Sequence, residues 1–526
     1  MGDYVNPGTD KFQMSLNSEI YVDKSNLIAK TNALFRTRQR FICISRPRRF
    51  GKTMAAEMLS AYYGAGEDAH PLFENLAIAK HPSYEEHLNK HNVIMINMQE
   101  FLSKTKSVEE MLLLLQSTII EELLEISSGA KHHNKADFIK VMKATYRETK
   151  QPFVILIDEW DCLFREYKDD KEAQKEYLDF LRLWLKDQAY VGLAYMTGIL
   201  PIKKYGTHSA LNMFREYSMV DPFNFIDYFG FRDFEVKELC LIHGMDEEEV
   251  KKWYNGYFLE VDKPILNPTS VSQCLESKKL GNYWNKTETY EALKDYIAFD
   301  FDGLQNKFAR LIAGDTLKVN PNKFTNDMST FNSNDDILTL LIHLGYLSYC
   351  TNSETVRIPN EEVKGEFVNS IEDLKGWDTV VSAIHSSEQL LQAIWSKSTD
   401  VVAEGVQKVH EQNTSILAYN DENSLSCVLS LALYTANKYY TIIRELPTGK
   451  GYADLVFIPR KKFADKPAMV IELKWNKTAE GAIQQIKQKN YISALDDYKG
   501  NLLLVGINYE KGEKAHTCII EPLVYG

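Results

Sequence analysis

The seven cysteines of this 526-residue chain (Cys43, Cys162, Cys240, Cys274, Cys350, Cys427 and Cys518) include no C-x-x-C pair and are widely separated, most of them in apolar runs. Such spacing supports neither a zinc site nor a disulfide frame, and the economical expectation is buried, reduced thiols in a cytoplasmic protein. No apolar run approaches the roughly 20 residues that cross a bilayer. The opening Met1-Gly2-Asp3-Tyr4-Val5-Asn6 lacks a basic start followed by an apolar core, so no membrane partner and no export are expected. Internal repeats and low-complexity segments are missing from the sequence. Basic residues are in deficit: 61 Lys and Arg against 73 Asp and Glu leave a formal charge of −12. A net acidic chain is not a general polyanion binder, and any nucleic-acid contact must come from a local patch.

What is present is an ordinary globular composition. Hydrophobic residues make up 44% and charged residues 25%, values that exclude wholesale disorder. The length exceeds what one core can serve and suggests about three domains.

The stretch from Phe41 to Tyr63, FICISRPRRFGKTMAAEMLSAYY, organises the N-terminal part. Phe41-Ile42-Cys43-Ile44 reads as a buried strand and Ser45 to Phe50 as a turn. Gly51-Lys52-Thr53 then opens a segment whose Met54, Met58, Ala61 and Tyr62 recur at helical spacing. Strand, loop and helix in that order suit a phosphate: N–H groups at the helix start face the anion, Lys52 adds a mobile positive charge, and the Thr53 hydroxyl can ligate Mg²⁺. In G-x-x-x-x-G-K-[ST] the first glycine falls on Arg46, so the entry turn must be made another way, helped by Pro47. Gly-Lys-Thr alone also fits a surface turn before an ordinary helix. A second element narrows the choice. Phe153-Val154-Ile155-Leu156-Ile157-Asp158-Glu159 is an apolar run ending in two carboxylates, which delivers Asp158 to a metal and leaves Glu159 to polarise water.

Val93 to Met98 and Val191 to Gly198 read as further buried strands, with helices expected over 21–35, 108–126 and 171–185. Strands alternating with helices imply a parallel α/β sheet that binds ligands at its carboxyl ends. Thr197 ends its strand where it can sense a terminal phosphate or serve as a helix-capping hydroxyl. The polar Lys131-His132-His133-Asn134-Lys135 reads as a solvated loop rather than a metal site. From about Asn224 the pattern becomes helical, over 234–243 and 247–254. Asp335 to Leu347, followed by short segments at Tyr349-Cys350 and Thr355 to Pro359, reads as a helix and small hairpin of winged-helix type. Inside ATPases such a unit is more often a lid than a DNA reader.

The C-terminal part carries a different signature. A helix is expected over 423–433 with Glu422 at its head, then strands at 440–443, 452–458 and 468–474, the turn at Gly449-Lys450-Gly451, and a helix containing Ala482, Gln485, Ile486 and Tyr491. Glu472 and Lys474 stand two apart on a strand and so share a face. If the strands pair, Asp454 and Glu472 can share a Mg²⁺ while Lys474 orients or deprotonates water, the division of labour of metal-assisted phosphodiester hydrolysis. E-x-K alone equally fits an ion pair on a strand edge. From Lys438 to Lys489 eleven basic residues face five acidic ones. The resulting local charge of +6, in a chain that totals −12, suits a phosphodiester substrate, or a solvated lysine-rich face.

Arg46-Pro47-Arg48-Arg49-Phe50-Gly51-Lys52-Thr53, Leu156-Ile157-Asp158-Glu159-Trp160-Asp161, Trp253-Tyr254-Asn255-Gly256-Tyr257, Asn267-Pro268-Thr269-Ser270, and Gly451-Tyr452-Ala453-Asp454 with Glu472-Leu473-Lys474 together resemble the bacterial AAA-ATPase-like family with a C-terminal PD-(D/E)XK nuclease domain. The resemblance spans nearly the whole chain. It implies an α/β fold: a P-loop NTPase parallel sheet over 1–223, a helical, winged-helix-like lid over 224–375, a connection over 376–405, and a restriction-endonuclease-like domain over 406–526. It implies ATP and Mg²⁺ as cofactors, with Arg48, Arg49, Phe50, Gly51, Lys52, Thr53 and Thr197 around the nucleotide and Thr53 and Asp158 on the metal. Glu159 would act on water, while Asp454, Glu472 and Lys474 would take the nuclease roles, with Glu422 as an additional metal carboxylate. DNA or RNA would be the partner of the C-terminal domain, and an oligomer is compatible with the family. Two functions follow: an ATPase coupled to a Mg²⁺-dependent nuclease, or a nucleotide-dependent switch carrying an inactive nuclease fold.

Overall fold

The computed structural model describes residues 2–126, 137–202, 211–258, 263–284, 289–299, 303–324, 331–413, 422–448, 451–488, 495, 498 and 500–523. The polar loop at 131–135, Gly449, Lys450 and Tyr491 lie outside the described residues. The chain divides into two compact units, each discontinuous in sequence. Unit one is 1–286 with 318–363, and unit two is 287–317 with 364–526.

Unit one is built on β1 (Phe41–Ser45), β2 (Asn92–Asn97), β3 (Phe153–Asp158), β4 (Val191–Gly198) and β5 (Arg215–Tyr217). All four pairings are parallel, in the order β2-β3-β4-β1-β5. β1, β3 and β4 are buried at every position, which is why they read as continuous apolar runs and not as alternating ones. β5, three residues long and exposed at Arg215, carries no such signal and was not expected. The order places β4 between the phosphate-loop strand β1 and the acidic strand β3, so three chain segments far apart in sequence end side by side.

The helix Lys52–Tyr63 lies on this sheet, and Met58, Leu59, Tyr62 and Tyr63 join Ile42, Ile44, Val154 and Leu156 in one core cluster. Each such buried side chain contributes about 1.5–3 kcal/mol. The helix Lys171–Leu185 shows how pattern sets packing: Tyr177, Leu178, Leu181, Trp184 and Leu185 are its buried stripe, and Asp170 caps it by accepting from the Ala173 N–H at 2.9 Å. The N-terminal segment is pinned across the sheet. Val5 bridges Ile94, and the Glu122 carboxylate accepts from the N–H groups of Asp3, Tyr4 and Val5.

The rest of unit one contains β6 (Phe231–Arg232), β7 (Tyr257–Phe258) and β8 (Pro264–Leu266), paired in the order β6-β8-β7. Helices Asp233–His243, Glu247–Tyr254 and Pro268–Ser277 gather around Val236, Val250, Val271 and Cys274. β9 (Leu317–Lys318) stands where the chain re-enters unit one. The helix Asn334–Leu344 starts in a capping box of Ser333 and Asp336 and stops at Gly345, whose φ of 89° suits glycine. It therefore ends three residues before the expected Leu347. β10 (Ser348–Cys350) and β11 (Thr355–Arg357) form the antiparallel hairpin after it. The seven cysteines are free. Among the described residues no helix is long and apolar enough to cross a membrane.

Unit two is organised by β12 (Tyr440–Thr448), β13 (Gly451–Pro459), β14 (Ala468–Trp475), β15 (Leu502–Glu510) and β16 (Ala515–Pro522), ordered as numbered. β14 and β15 are parallel and the other pairs antiparallel. β15 and β16 were not expected. The expected connection at 376–405 is instead occupied by the helices Asp378–Trp395 and Thr399–Asn413, which pack into the unit. Trp395 Nε1 donates to Tyr440 OH at 2.7 Å, and Gln407 Nε2 donates to Lys514 O at 2.8 Å. The segment 287–317 also groups here rather than with a lid: Arg310 and Arg444 both pair with Asp315, and Arg444 bonds Ala313 O. The contacts thus group the chain into two units that meet in sequence at 286, 317 and 363.

A fragment of residues 406–526 lacks the helix Asp378–Trp395 and the start of Thr399–Asn413, leaving the apolar surfaces that face Val380, Leu391, Ile394 and Val402 uncovered. It should lack a cooperative thermal transition, whereas the full chain should show one. A sharp transition in the isolated 406–526 fragment, measured by circular dichroism, would contradict this division.

Candidate functional site

At the carboxyl end of β1 the chain enters the phosphate loop. Gly51, with φ 84°, turns it into the helix that begins at Lys52. Lys52 is 5% exposed, and its Nζ donates to Pro47 O at 2.9 Å. Burial lowers its pKa, against the pull of Glu159, Asp158 and Asp161. Arg46, in the position of the motif's first glycine, faces inward. It is fully buried, and Nη1 donates to Ser45 O at 2.9 Å and Tyr217 O at 2.8 Å. Burial brings its pKa down to about 10. The arginine thus ties β1 to β5, and its backbone N–H continues the β1–β4 pairing by donating to Gly198 O at 3.0 Å. Arg48 is half-buried. Arg49, at φ 69°, donates from Nη1 to Tyr283 O at 2.6 Å. The Phe50 ring is buried edge-on against Tyr257, with centroids 5.3 Å apart, so only its backbone is available to a ligand.

The carboxyl ends of β3 and β4 complete this corner. Asp158 Oδ2 accepts from Thr53 Oγ1 at 2.6 Å, and Oδ1 accepts from Thr197 Oγ1 and from the Glu159 N–H at 3.0 Å. The Thr197 hydroxyl is therefore engaged by the acid of the neighbouring strand, not by a helix terminus. Thr53 and Asp158 present hard oxygens of the type Mg²⁺ prefers, already within hydrogen-bond distance of each other. Glu159 is a non-glycine residue at φ 53°, a conformation held only where the surroundings over-determine it. Burial raises its pKa, opposed by Lys52 and Arg165, and it forms an ion pair with Arg165. Arg165 also approaches Asp161, whose fully buried carboxylate accepts from the Ile199 and Leu200 N–H groups at 3.1 and 2.8 Å.

In unit two the β13–β14 register pairs Leu455 with Ile471. Asp454 and Glu472 lie one step further along each strand, and by the two-residue period both project from the same face. Asp454 Oδ2 accepts from the Leu473 N–H at 2.6 Å. Glu472, 1% exposed, accepts at Oε1 from Lys474 Nζ at 3.0 Å and from Gln485 Nε2. Gln485 comes from the helix Ala479–Gln488, which packs on β14 and β15. The approach requires Gly506 on β15, opposite Glu472: a Cβ there would stand 2.5 Å from Ala479 O. Glu422 opens the helix Glu422–Ala432, and its side chain lies outside the described residues. Among the described residues no group of three His, Cys, Asp or Glu side chains is spaced to hold a metal. Asp454 and Glu472 offer two oxygen donors compatible with Mg²⁺.

Sequence reasoning brought Lys52, Thr53, Asp158, Glu159 and Thr197 to one corner, and Asp454, Glu472 and Lys474 to one sheet face. It missed Asp161 and Arg165 and assigned no role to Gln485. Asp161 and Arg165 sit three and seven residues beyond Asp158, and their involvement depends on the short helix Cys162–Glu166 turning back.

Residues 7–207 match the family described as predicted AAA-ATPase, and residues 420–517 match the PD-(D/E)XK nuclease superfamily. The chain thus carries an AAA-ATPase-like segment followed by a segment of the PD-(D/E)XK nuclease superfamily. A curated relative, an uncharacterised protein in the vnfD 5′ region of Azotobacter chroococcum mcd 1, is 25% identical over 258 residues, 48% of each chain. The match spans about half the length of that relative. Among solved structures, Cdc6p from Pyrobaculum aerophilum is 9% identical with a TM-score of 0.26, covering 66% of this chain and 93% of that one. The Aeropyrum pernix ORC2 protein, in ADPNP–ADP complexes, is 10% identical with a TM-score of 0.29, covering 68% and 96%. At those scores the strand order and the family matches carry the fold assignment, and the two structures do not.

Replacing Asp161 by Ala leaves two buried N–H groups unpaired and removes a charge from Arg165. The chain should lose about 3 kcal/mol of stability, seen as a lowered denaturant midpoint for unit one.

Proposed function

We propose that this protein binds and hydrolyses ATP with Mg²⁺ in unit one and that unit two cuts phosphodiester bonds in nucleic acid with Mg²⁺. The observation that carries the first half is the 2.6 Å hydrogen bond from Thr53 to Asp158, which joins the phosphate-loop helix to the acidic strand. Lys52 would neutralise phosphate charge, Thr53 and Asp158 would hold the metal, Thr197 would orient Asp158, and Glu159 would polarise the attacking water. Bound Mg²⁺ supplies further neutralisation of the phosphate oxygens. Glu159 can act only when its carboxylate is released from Arg165.

The nuclease half rests on Asp454 and Glu472 sharing a face beside Lys474. The two carboxylates would hold the metal, and Lys474 would orient or deprotonate water. Lys438, Lys461, Lys462, Lys477 and Lys487 are exposed, a basic surface suited to a polyanion. A second reading, a nucleotide-dependent switch with a silent nuclease fold, is favoured by one observation: Glu472 Oε1 already takes two donors, Lys474 and Gln485.

Purified protein with Mg²⁺ and supercoiled or linear DNA, or RNA, with and without ATP, separates the two readings. Cleavage lost in Asp454→Ala and in Lys474→Ala supports the nuclease, and ATP turnover without cleavage of any substrate supports the switch. Lys52→Ala should lower ATP turnover by at least about 100-fold. Glu159→Gln should retain ATP binding and slow turnover comparably. Equal turnover in either variant and the wild-type chain would remove that residue from the mechanism.

The ionised form of Glu159 is the active one, and burial lifts its pKa above the ordinary 4.5. ATP turnover should therefore decline on acidification at a pH above the usual glutamate range. A pH–rate profile of kcat with a limb at or below 4.5 would contradict that role.

A further inference from the structure

Thr53 and Asp158 also form one end of a cavity of about 310 Å³ that runs along the helix Lys52–Tyr63 toward the end of β2 and the N-terminal segment. Its wall mixes polar side chains, among them Tyr4, Lys11, Glu57, Asn97 and Glu100, with apolar surface from Pro7 and Met95. Glu57 is four residues beyond Thr53 on the same helix, and so on the same face. Ser60 is 2% exposed, and its hydroxyl has no hydrogen-bond partner in the protein. The space itself is wide enough for several waters. Carboxylates outnumber cations in its lining: Asp3, Glu57, Glu100 and Asp158 stand with Lys11, and Glu100 is paired from outside by Lys104 at 2.6 Å. The outer wall is fixed in place, since Glu122 holds the N–H groups of Asp3, Tyr4 and Val5, and Tyr4 OH donates to Glu100 at 2.7 Å.

We propose that this cavity is the water compartment of the nucleotide's divalent cation, with Glu57 as a positioning residue that accepts hydrogen bonds from metal-bound water. Mg²⁺ gives up its waters reluctantly and usually retains several, so the protein must provide room and acceptors for them beside the Thr53 hydroxyl. Glu57 provides the charged acceptor. Lys11 acts in the opposite sense, competing with the hydrated cation for the same carboxylates. This inference rests on the ATP·Mg²⁺ reading above and adds to it the residues that set the metal requirement.

The test is equilibrium binding of a fluorescent ATP analogue to the full chain, titrated with Mg²⁺ from a metal-free start. Glu57→Gln keeps the shape and removes the charge. It should raise the Mg²⁺ concentration needed for half-maximal tightening by about tenfold, with metal-free nucleotide affinity unchanged. Lys11→Gln should shift the same midpoint downward. An unaltered midpoint in Glu57→Gln, or an equal weakening with and without Mg²⁺, overturns the proposal while leaving nucleotide binding intact. Failure of the wild-type chain to bind the analogue overturns the ATPase reading and this inference together. Thermal unfolding of each apo variant distinguishes a folding defect, in which case Glu57→Asp supplies the decisive titration.

Discussion

Asp158 is the point on which unit one depends. Its carboxylate is buried at the end of β3 and is held on one oxygen by the Thr53 hydroxyl and on the other by Thr197 and the Glu159 N–H. A buried carboxylate without such donors would be costly to keep ionised. With them it becomes the joint between the phosphate-loop helix, the acidic strand and β4. The parallel order makes this economical, since inserting β4 between β1 and β3 brings the donors to the carboxylate without any long side chain having to reach. Asp161 repeats the device one turn away, holding Ile199 and Leu200. The segment leaving β4 is thereby tied to the segment leaving β3.

Unit two solves a comparable problem differently. Glu472 is as buried as Asp158, but its compensation comes from side chains, Lys474 and Gln485, not from hydroxyls at strand ends. The lysine lies on the same strand and the glutamine on a helix that can come close because Gly506 has no side chain. Replacing a carboxylate's water shell with an ammonium and an amide leaves the charge satisfied but engaged, and chemistry at Glu472 requires rearranging that shell.

Much of the fold was legible because burial on both faces leaves an unmistakable run. Phe153–Asp158 and Val191–Gly198 could be read directly, as could the amphipathic helix Lys171–Leu185. Leu502–Val505 is just as apolar and carries the same strand signal, although no chemistry-bearing residue marks it. β5 and the hairpin strands are too short to show a period. For the sites, Lys52, Thr53, Asp158 and Glu159 announced themselves by spacing. Arg165 did not, and Gln485 was visible on its helix without its partner, because an ion pair or amide contact depends on which way a helix is rotated, and a periodicity of 3.6 leaves several residues equally eligible. Arg46 was misleading as a missing glycine, since its guanidinium serves the interior and not the phosphate. The unit borders were hidden for a different reason. Composition changes little across 286, 317 and 363, and a polar stretch such as Ser386 to Asp400 looks like a connection until its buried face, Leu390, Leu391 and Ile394, is seen.

The discontinuity of both units bears on inheritance. A domain encoded in one uninterrupted stretch can be gained, lost or exchanged by a single recombination event at its border. Here residues 287–317 belong with 364–526, while 318–363 belong with the N-terminal part. A crossover anywhere between 287 and 363 would therefore deliver an incomplete copy of each unit, and one after 405 would sever the nuclease sheet from its own helices. The two units are bound into a single heritable block, and diversification in such a lineage is expected to proceed by substitution within the sites rather than by shuffling of domains.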